Sequence, residues 1–148
     1  MSAIPEGIKV LFIAGFGPVV TNRKQSEHLY KELLQLPLET ADDYDGYMHS
    51  QNIDGIKYFA LWPLDKVALS CFGTPEWPED LPVPQAWLEF DVADIESATE
   101  ILKQNGYKIL THIKKEPWGQ IVTRFLSPEG LVMAVGHTPL LREETEKK

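Results

Sequence analysis

The sequence predicts an α+β fold in which two βαβββ modules curve as sheets around a cleft. Three observations predict it. Each half of the chain reads as a strand, a helix and then three short strands. A stretch with four prolines, GTPEWPEDLPVP at 73–84, separates the halves and cannot continue a sheet. An offset of 72 residues superposes the two patterns, placing Val20-Thr21-Asn22 on Val92-Ala93-Asp94, Phe16 on Leu88 and Tyr30 on Leu102. A single module buries only one face of its sheet, so two must pair to cover more surface.

The elements follow in order. Lys9–Val20, KVLFIAGFGPVV, is apolar and β-branched and reads as a buried strand, loosened by Gly15, Gly17 and Pro18. Thr21 or Asn22 supplies an N-cap for a helix from about Arg23 to Gln35. Leu29, Tyr30, Leu33 and Leu34 recur at one-face spacing, and Leu36-Pro37 ends the run. Residues 41–46, ADDYDG, read as an acidic loop. Tyr47–Gln51, Ile56–Trp62 and Val67–Phe72 are expected as three antiparallel strands, punctuated by turn chemistry at Asn52–Gly55 and Pro63–Lys66.

The second half is cleaner. In Ala86–Val92, AWLEFDV, strict alternation puts Leu88, Phe90 and Val92 on one face and Trp87, Glu89 and Asp91 on the other. Asp94 is an N-cap for a helix to Asn105 with Ile95, Ala98, Ile101 and Leu102 inward, and Gly106 is placed to end it. Strands are expected near Tyr107–Ile113, Ile121–Leu126 and Leu131–Gly136. The organisation expected is one domain over 8–137, with modules at about 8–72 and 86–137, a linker at 73–85 and a charged tail at 138–148 that frays.

Composition narrows the partners. The chain has 148 residues, 43% of them apolar, which suits a folded domain with a sizeable core. Lys and Arg total 14 and Asp and Glu 22, so the formal net charge is 14 − 22 = −8. That balance disfavours nucleic acid and anionic membrane surfaces and suits a neutral or cationic small molecule. No apolar run is long enough to span a membrane, and the N-terminus shows no basic segment followed by an apolar core. A cytoplasmic location is expected. The single cysteine, Cys71, excludes an intramolecular disulfide and a thiolate-rich zinc site, and its apolar surroundings predict a buried, inert thiol.

Two segments carry a family resemblance. VADIESATEILKQNGY opens the second module, and EPWGQIVTRFLSPEG joins a Pro-Trp-Gly turn, a strand and a Pro-Glu-Gly turn. With the paired modules, these resemble the vicinal-oxygen-chelate superfamily of glyoxalases, bleomycin-resistance proteins and extradiol dioxygenases, over about residues 8–137. AWLEFDV and EPWGQ look closest to the bleomycin-resistance branch. The resemblance implies the glyoxalase/bleomycin-resistance fold, a homodimer, and in the enzymes a divalent metal held by His, Glu or Gln from four strands.

Position by position, those ligand sites fall here on Gly15, on Trp87, on Ala134 and among Ala68, Leu69 and Ser70. These residues are small, apolar or aromatic, and a divalent cation needs nitrogen or oxygen donors. The expectation is therefore no metal at the usual place and no cofactor. His49, His112 and His137 leave open a displaced site, while His28 reads as surface.

Three functions remain open. The cleft binds a neutral or cationic, partly aromatic ligand without converting it, with Trp87, Glu89, Trp62, Phe72, Trp118, Arg124, Ala134 and Gly15 as candidate lining. Alternatively the protein is a metal-dependent lyase, isomerase or dioxygenase with a displaced site, or an acid–base enzyme using Glu89, Arg124 or a histidine. In a third reading the cleft is filled by the chain's own side chains. Trp62, Phe72 and Trp118 could as well be core. The alternation of Trp87 points it at the cleft, and Arg124 could clamp a carboxylate or pair with Glu89 or Asp91. No catalytic residue is assigned.

Overall fold

The computed structural model describes residues 7–42 and 45–146. The acidic loop expected at 41–46 lies partly outside them. The strands are β1 (Val10–Val20), β2 (Glu39–Thr40), β3 (Met48–Ser50), β4 (Phe59–Pro63), β5 (Ala86–Val92), β6 (Ile109–Lys115), β7 (Ile121–Leu126) and β8 (Val132–His137). The helices are α1 (Arg23–Glu27), which continues as a π-helix over His28–Leu33, then α2 (Leu64–Phe72), α3 (Ile95–Gln104) and α4 (Pro139–Glu146).

The strands form one curved, unclosed sheet in the order β2-β3-β4-β1-β5-β8-β7-β6. The expected two sheets are thus a single one, because β1 and β5 pair antiparallel along their length. Phe16 lies opposite Leu88, the two residues that the 72-residue offset superposes. The pseudo-two-fold of the repeat therefore passes between them. In each module the last strand runs parallel to the first, β4 beside β1 and β8 beside β5.

The convex face carries two apolar clusters. Val20, Leu38, Met48, Phe59 and Leu61 pack beneath Tyr30 in the first module. Val92, Ala98, Leu102, Phe125 and Val135 pack beneath α3 in the second. Asp94 caps α3 by accepting from the Ser97 N–H at 3.1 Å, as the sequence predicts. Asn22, not Thr21, caps α1, accepting from the Gln25 N–H at 3.1 Å.

Three expectations are corrected. Val67–Phe72 belongs to helix α2, not a strand. Its buried Val67, Ala68 and Cys71 have helical spacing, Asp65 lies in the first turn, and Gly73 closes the helix with φ 80 in the left-handed region. A short apolar run such as VALSCF fits either period, and the flanking signals decide it. The fourth strand of the first module is instead supplied by β2, at Glu39–Thr40.

The first helix does not bury the face its sequence suggests. Leu29, Leu33 and Leu34 are exposed, and only Tyr30 reaches the core. The π-helical turn over His28–Leu33 breaks the 3.6-residue period on which the expectation rested.

The charged tail is, through Glu146, helix α4. Its Leu141 is buried, and the Arg142 Nε–H donates to Asp91 Oδ2 at 2.8 Å.

Candidate functional site

The concave face holds the residues that the sequence singles out. Register fixes a row across the sheet. Gly15 on β1 lies opposite Glu89 on β5, Glu89 opposite Ala134 on β8, Ala134 opposite Arg124 on β7, and Arg124 opposite Thr111 on β6. Trp87 sits two residues from Glu89 on the same face, opposite Gly17.

Aromatic rings fill the first-module half. The Trp87 indole N–H donates to the Ala60 carbonyl at 3.1 Å, and its ring meets the edge of Trp62 at 6.0 Å between centroids. Glycine makes room for it. A Cβ on Gly15 would lie 3.0 Å from the Trp87 ring and one on Gly17 would lie 2.0 Å from the Ala60 carbonyl oxygen. Beyond Trp87, His49 stacks between Tyr47 and Tyr58, with centroids 5.8 Å from each. The two tyrosine hydroxyls hydrogen-bond at 2.5 Å. Burial pushes the Tyr58 hydroxyl up to about 12, against the Tyr47 hydrogen bond and with help from Glu89.

Ion pairs fill the second-module half. Arg124 is 1% exposed, and its Nη1 donates to Glu89 Oε2 at 2.9 Å. Its guanidinium carbon stands 4.8 Å from the centre of the Trp62 ring. Burial works to lower the Arg124 pKa, but Glu89, with Cys71 and Glu116 behind it, carries the net shift upward. Glu89 Oε1 accepts from Gln120, whose own Oε1 accepts from the Trp118 indole. Asp91, fully buried, accepts from the Thr138 N–H and hydroxyl and from Arg142, each at 2.8 Å.

Helix α2 lies across this face. Val67 and Cys71 pack with Trp62, Trp87 and Val132. On the far side Leu110 of β6 packs against the same cluster, and polar contacts from β6 and from Glu116 just after it tie the helix down. The Thr111 hydroxyl donates to the Cys71 carbonyl at 3.2 Å, Lys114 Nζ to the Ser70 carbonyl at 3.1 Å, and the Ser70 hydroxyl to buried Glu116 at 3.3 Å. A bulge in β6 lets Thr111 and Lys114 both reach α2, and it holds Ile113 at φ 39, a costly conformation for a β-branched residue. Burial raises the Cys71 thiol pKa, only partly offset by Arg124. This agrees with an inert thiol.

The structure brings Gly15, Trp62, Trp87, Glu89, Arg124 and Ala134 together on the concave face. Phe72 lies on α2, edge-on to Trp77 at 5.3 Å. Trp118 sits in the β6–β7 turn, 55% exposed. Arg124 pairs with Glu89, and Asp91 pairs with Arg142. Of the Tyr47, His49 and Tyr58 stack, the sequence points to His49 alone, and only as a possible metal ligand. Alternation places Tyr47 and His49 on one face of a short strand, but a strand this short and polar carries no sequence sign of a ring stack.

The residues present do not fit the metal that the superfamily's enzymes hold. Ala68, Leu69 and Ser70 are helical, so the fourth position belongs to β4, beside Tyr58 and Ala60. Glu89 is spent on Arg124 and Gln120, and His49 is stacked between two tyrosines. His28 bonds exposed Glu32. Among the described residues, no group of three or more His, Cys, Asp or Glu side chains could hold a metal ion.

A half-open eight-stranded sheet of two repeated modules, joined through their first strands, defines the class. A model of the Glyoxalase/Bleomycin resistance protein/Dioxygenase superfamily matches residues 20–135, and the chain belongs to that superfamily. Solved structures agree on the fold. A superfamily member from Vibrio splendidus 12B01 aligns with TM-score 0.54 at 12% identity, covering 88% of this chain and 99% of that one. Methylmalonyl-CoA epimerase from Mycobacterium tuberculosis aligns with TM-score 0.52 at 14% identity, covering 95% and 97%. The Mn(II)-bound glyoxalase from Novosphingobium aromaticivorans aligns with TM-score 0.55 at 15% identity, covering 87% of this chain and 39% of that one. Among curated proteins none matches the chain. Among the described residues, no helix is long and apolar enough to cross a membrane.

Proposed function

We propose that this superfamily member binds a small, partly aromatic molecule on its concave face without a metal and without converting it. One observation carries the reading. Beside the small residues at the usual ligand positions Gly15 and Ala134 runs a continuous row of rings, Tyr47, His49, Tyr58, Trp87 and Trp62, of which the first three are half-buried and the two tryptophans lie buried beneath α2. The half-buried rings of Tyr47, His49 and Tyr58 offer stacking surface as they stand, while α2 covers the two tryptophans. The cationic ligand suggested by net charge loses support, because the Trp62 face already carries the Arg124 guanidinium. A neutral ring, or a ring with an acidic group, suits the row better.

A thermal-shift screen of small aromatic molecules in the presence of a chelator tests this, since a ligand of the folded state raises the melting temperature. Saturable stabilisation by at least one aromatic compound supports binding. No stabilisation with chelator, but stabilisation once manganese, nickel or zinc is restored, favours the displaced-metal enzyme instead. The cytoplasmic location and the homodimer belong to the same proposal. Exposed Val10, Leu11, Ile13 and Phe16 on β1 are the apolar surface a second copy would cover, and sedimentation checks the mass.

A further inference from the structure

The Arg124 guanidinium is buried and half used. Its Nη1 meets Glu89 at 2.9 Å, while Nε and Nη2 are buried with no hydrogen-bond partner. Leaving two charged donors unpaired in a buried site is strongly unfavourable, because each loses its water without gaining an acceptor. Native interiors seldom carry such a debt without a partner. The unpaired atoms are not random. Nε and Nη2 form the side edge of the guanidinium, the fork whose two parallel N–H bonds match the two oxygens of a carboxylate.

Resting on the binding reading above, we propose that Arg124 receives the carboxylate of an aromatic acid whose ring takes the place of helix α2 on Trp62 and Trp87.

The surroundings fit an exchange of helix for ligand. The sheet contributes Trp62 and Trp87, and α2 covers them with buried Val67, Ala68, Ser70 and Cys71 and with half-buried Leu64 and Phe72 at its two ends. Lifting the helix uncovers apolar area on both tryptophans, and an aromatic ring seated there recovers part of that contact. The helix is bounded by a proline and a glycine. Pro63 is extended before it, and Gly73 is left-handed after it. Charge permits an acid. Arg124 pairs with Glu89 and Lys114 lies 3.5 Å from Glu116, so the local pairs balance before a ligand arrives. A delocalised guanidinium can hold Glu89 at one end and a second carboxylate on its free edge.

The test reads Arg124 directly. The full chain, labelled with nitrogen-15, is titrated with benzoate, benzamide and benzyl alcohol while the Arg124 Nε–H and the Trp62 indole N–H are followed. The expected result is a saturable shift of both by benzoate, with benzamide weaker by about tenfold or more. Arg124→Lys keeps a cation opposite Glu89 but has no fork. It should weaken benzoate by a similar factor and leave benzyl alcohol unchanged. If benzamide matches benzoate, or if the Nε–H keeps a bound water and ignores benzoate while the neutral probes still move Trp62, the carboxylate inference is overturned and the binding reading stands. If no probe moves Trp62, both fall.

Discussion

Arg124 and Glu89 meet at 2.9 Å across the small side chain of Ala134, on three adjacent strands of the concave face. The position expected to carry the last metal ligand thus separates the two partners of a buried ion pair. A divalent cation placed there would compete with Arg124 for Glu89.

Removing one partner tests how deeply the pair is committed. Arg124→Met leaves Glu89 without its cation in a mostly buried site and should cost about 3–5 kcal/mol in urea unfolding. Glu89→Gln keeps an acceptor for Arg124 and should cost less. The double variant Arg124→Met/Glu89→Leu should lose less than the sum of its single changes, because neither charge is left alone.

Asp91 makes the analogous argument for α4. Thr138 and Arg142 supply all three donors described for this fully buried carboxylate. Deleting 138–148 should therefore destabilise the chain by about 3–5 kcal/mol, rather than leave it unchanged as a frayed tail would. Circular dichroism melting of the truncated chain decides the matter.

Tyr58 predicts an alkaline weakness. Its folded pKa, about 12, lies above the ordinary 10.0, so the folded state holds the proton more tightly than the unfolded one. The contribution is complete below pH 10 and is lost as pH rises toward 12. At about 1.4 kcal/mol per pH unit, the loss approaches about 3 kcal/mol. Tyr58→Phe should flatten the stability profile over that interval.

Rebuilding a ligand at Gly15 should fail. A side chain there meets the Tyr58 carbonyl oxygen at 2.6 Å and the Trp87 ring at 3.0 Å. Gly15→His should lower stability by about 1–3 kcal/mol through overpacking and should not confer zinc or manganese binding. Calorimetric titration with either metal checks the second half.

The sequence was most informative where several local signals agree. In the second module the alternation of AWLEFDV, the Asp94 cap and the two turns of EPWGQIVTRFLSPEG point to the same elements, and the structure has them. The first module carries conflicting signals. VALSCF suits a strand or a helix by periodicity, and its Pro63, Asp65 and Gly73 flanks decide for the helix. That one change alters the site, because α2 occupies the face the cleft was expected to leave open. The Arg124–Glu89 pair was legible as a possibility, since alternation put both side chains on definable faces. The tie between Asp91 and Arg142 was not, because a run of charges at a chain end carries no sign of which one turns inward.

The central claim is that the concave face binds without a metal. Indole N–H resonances of Trp62 and Trp87, followed as an aromatic probe such as benzoate or benzyl alcohol is added, test it most directly. The account predicts saturable shifts at both tryptophans with the same affinity in chelator as in manganese. Shifts that appear only when manganese is present, or a probe that leaves both indoles unmoved, would contradict it.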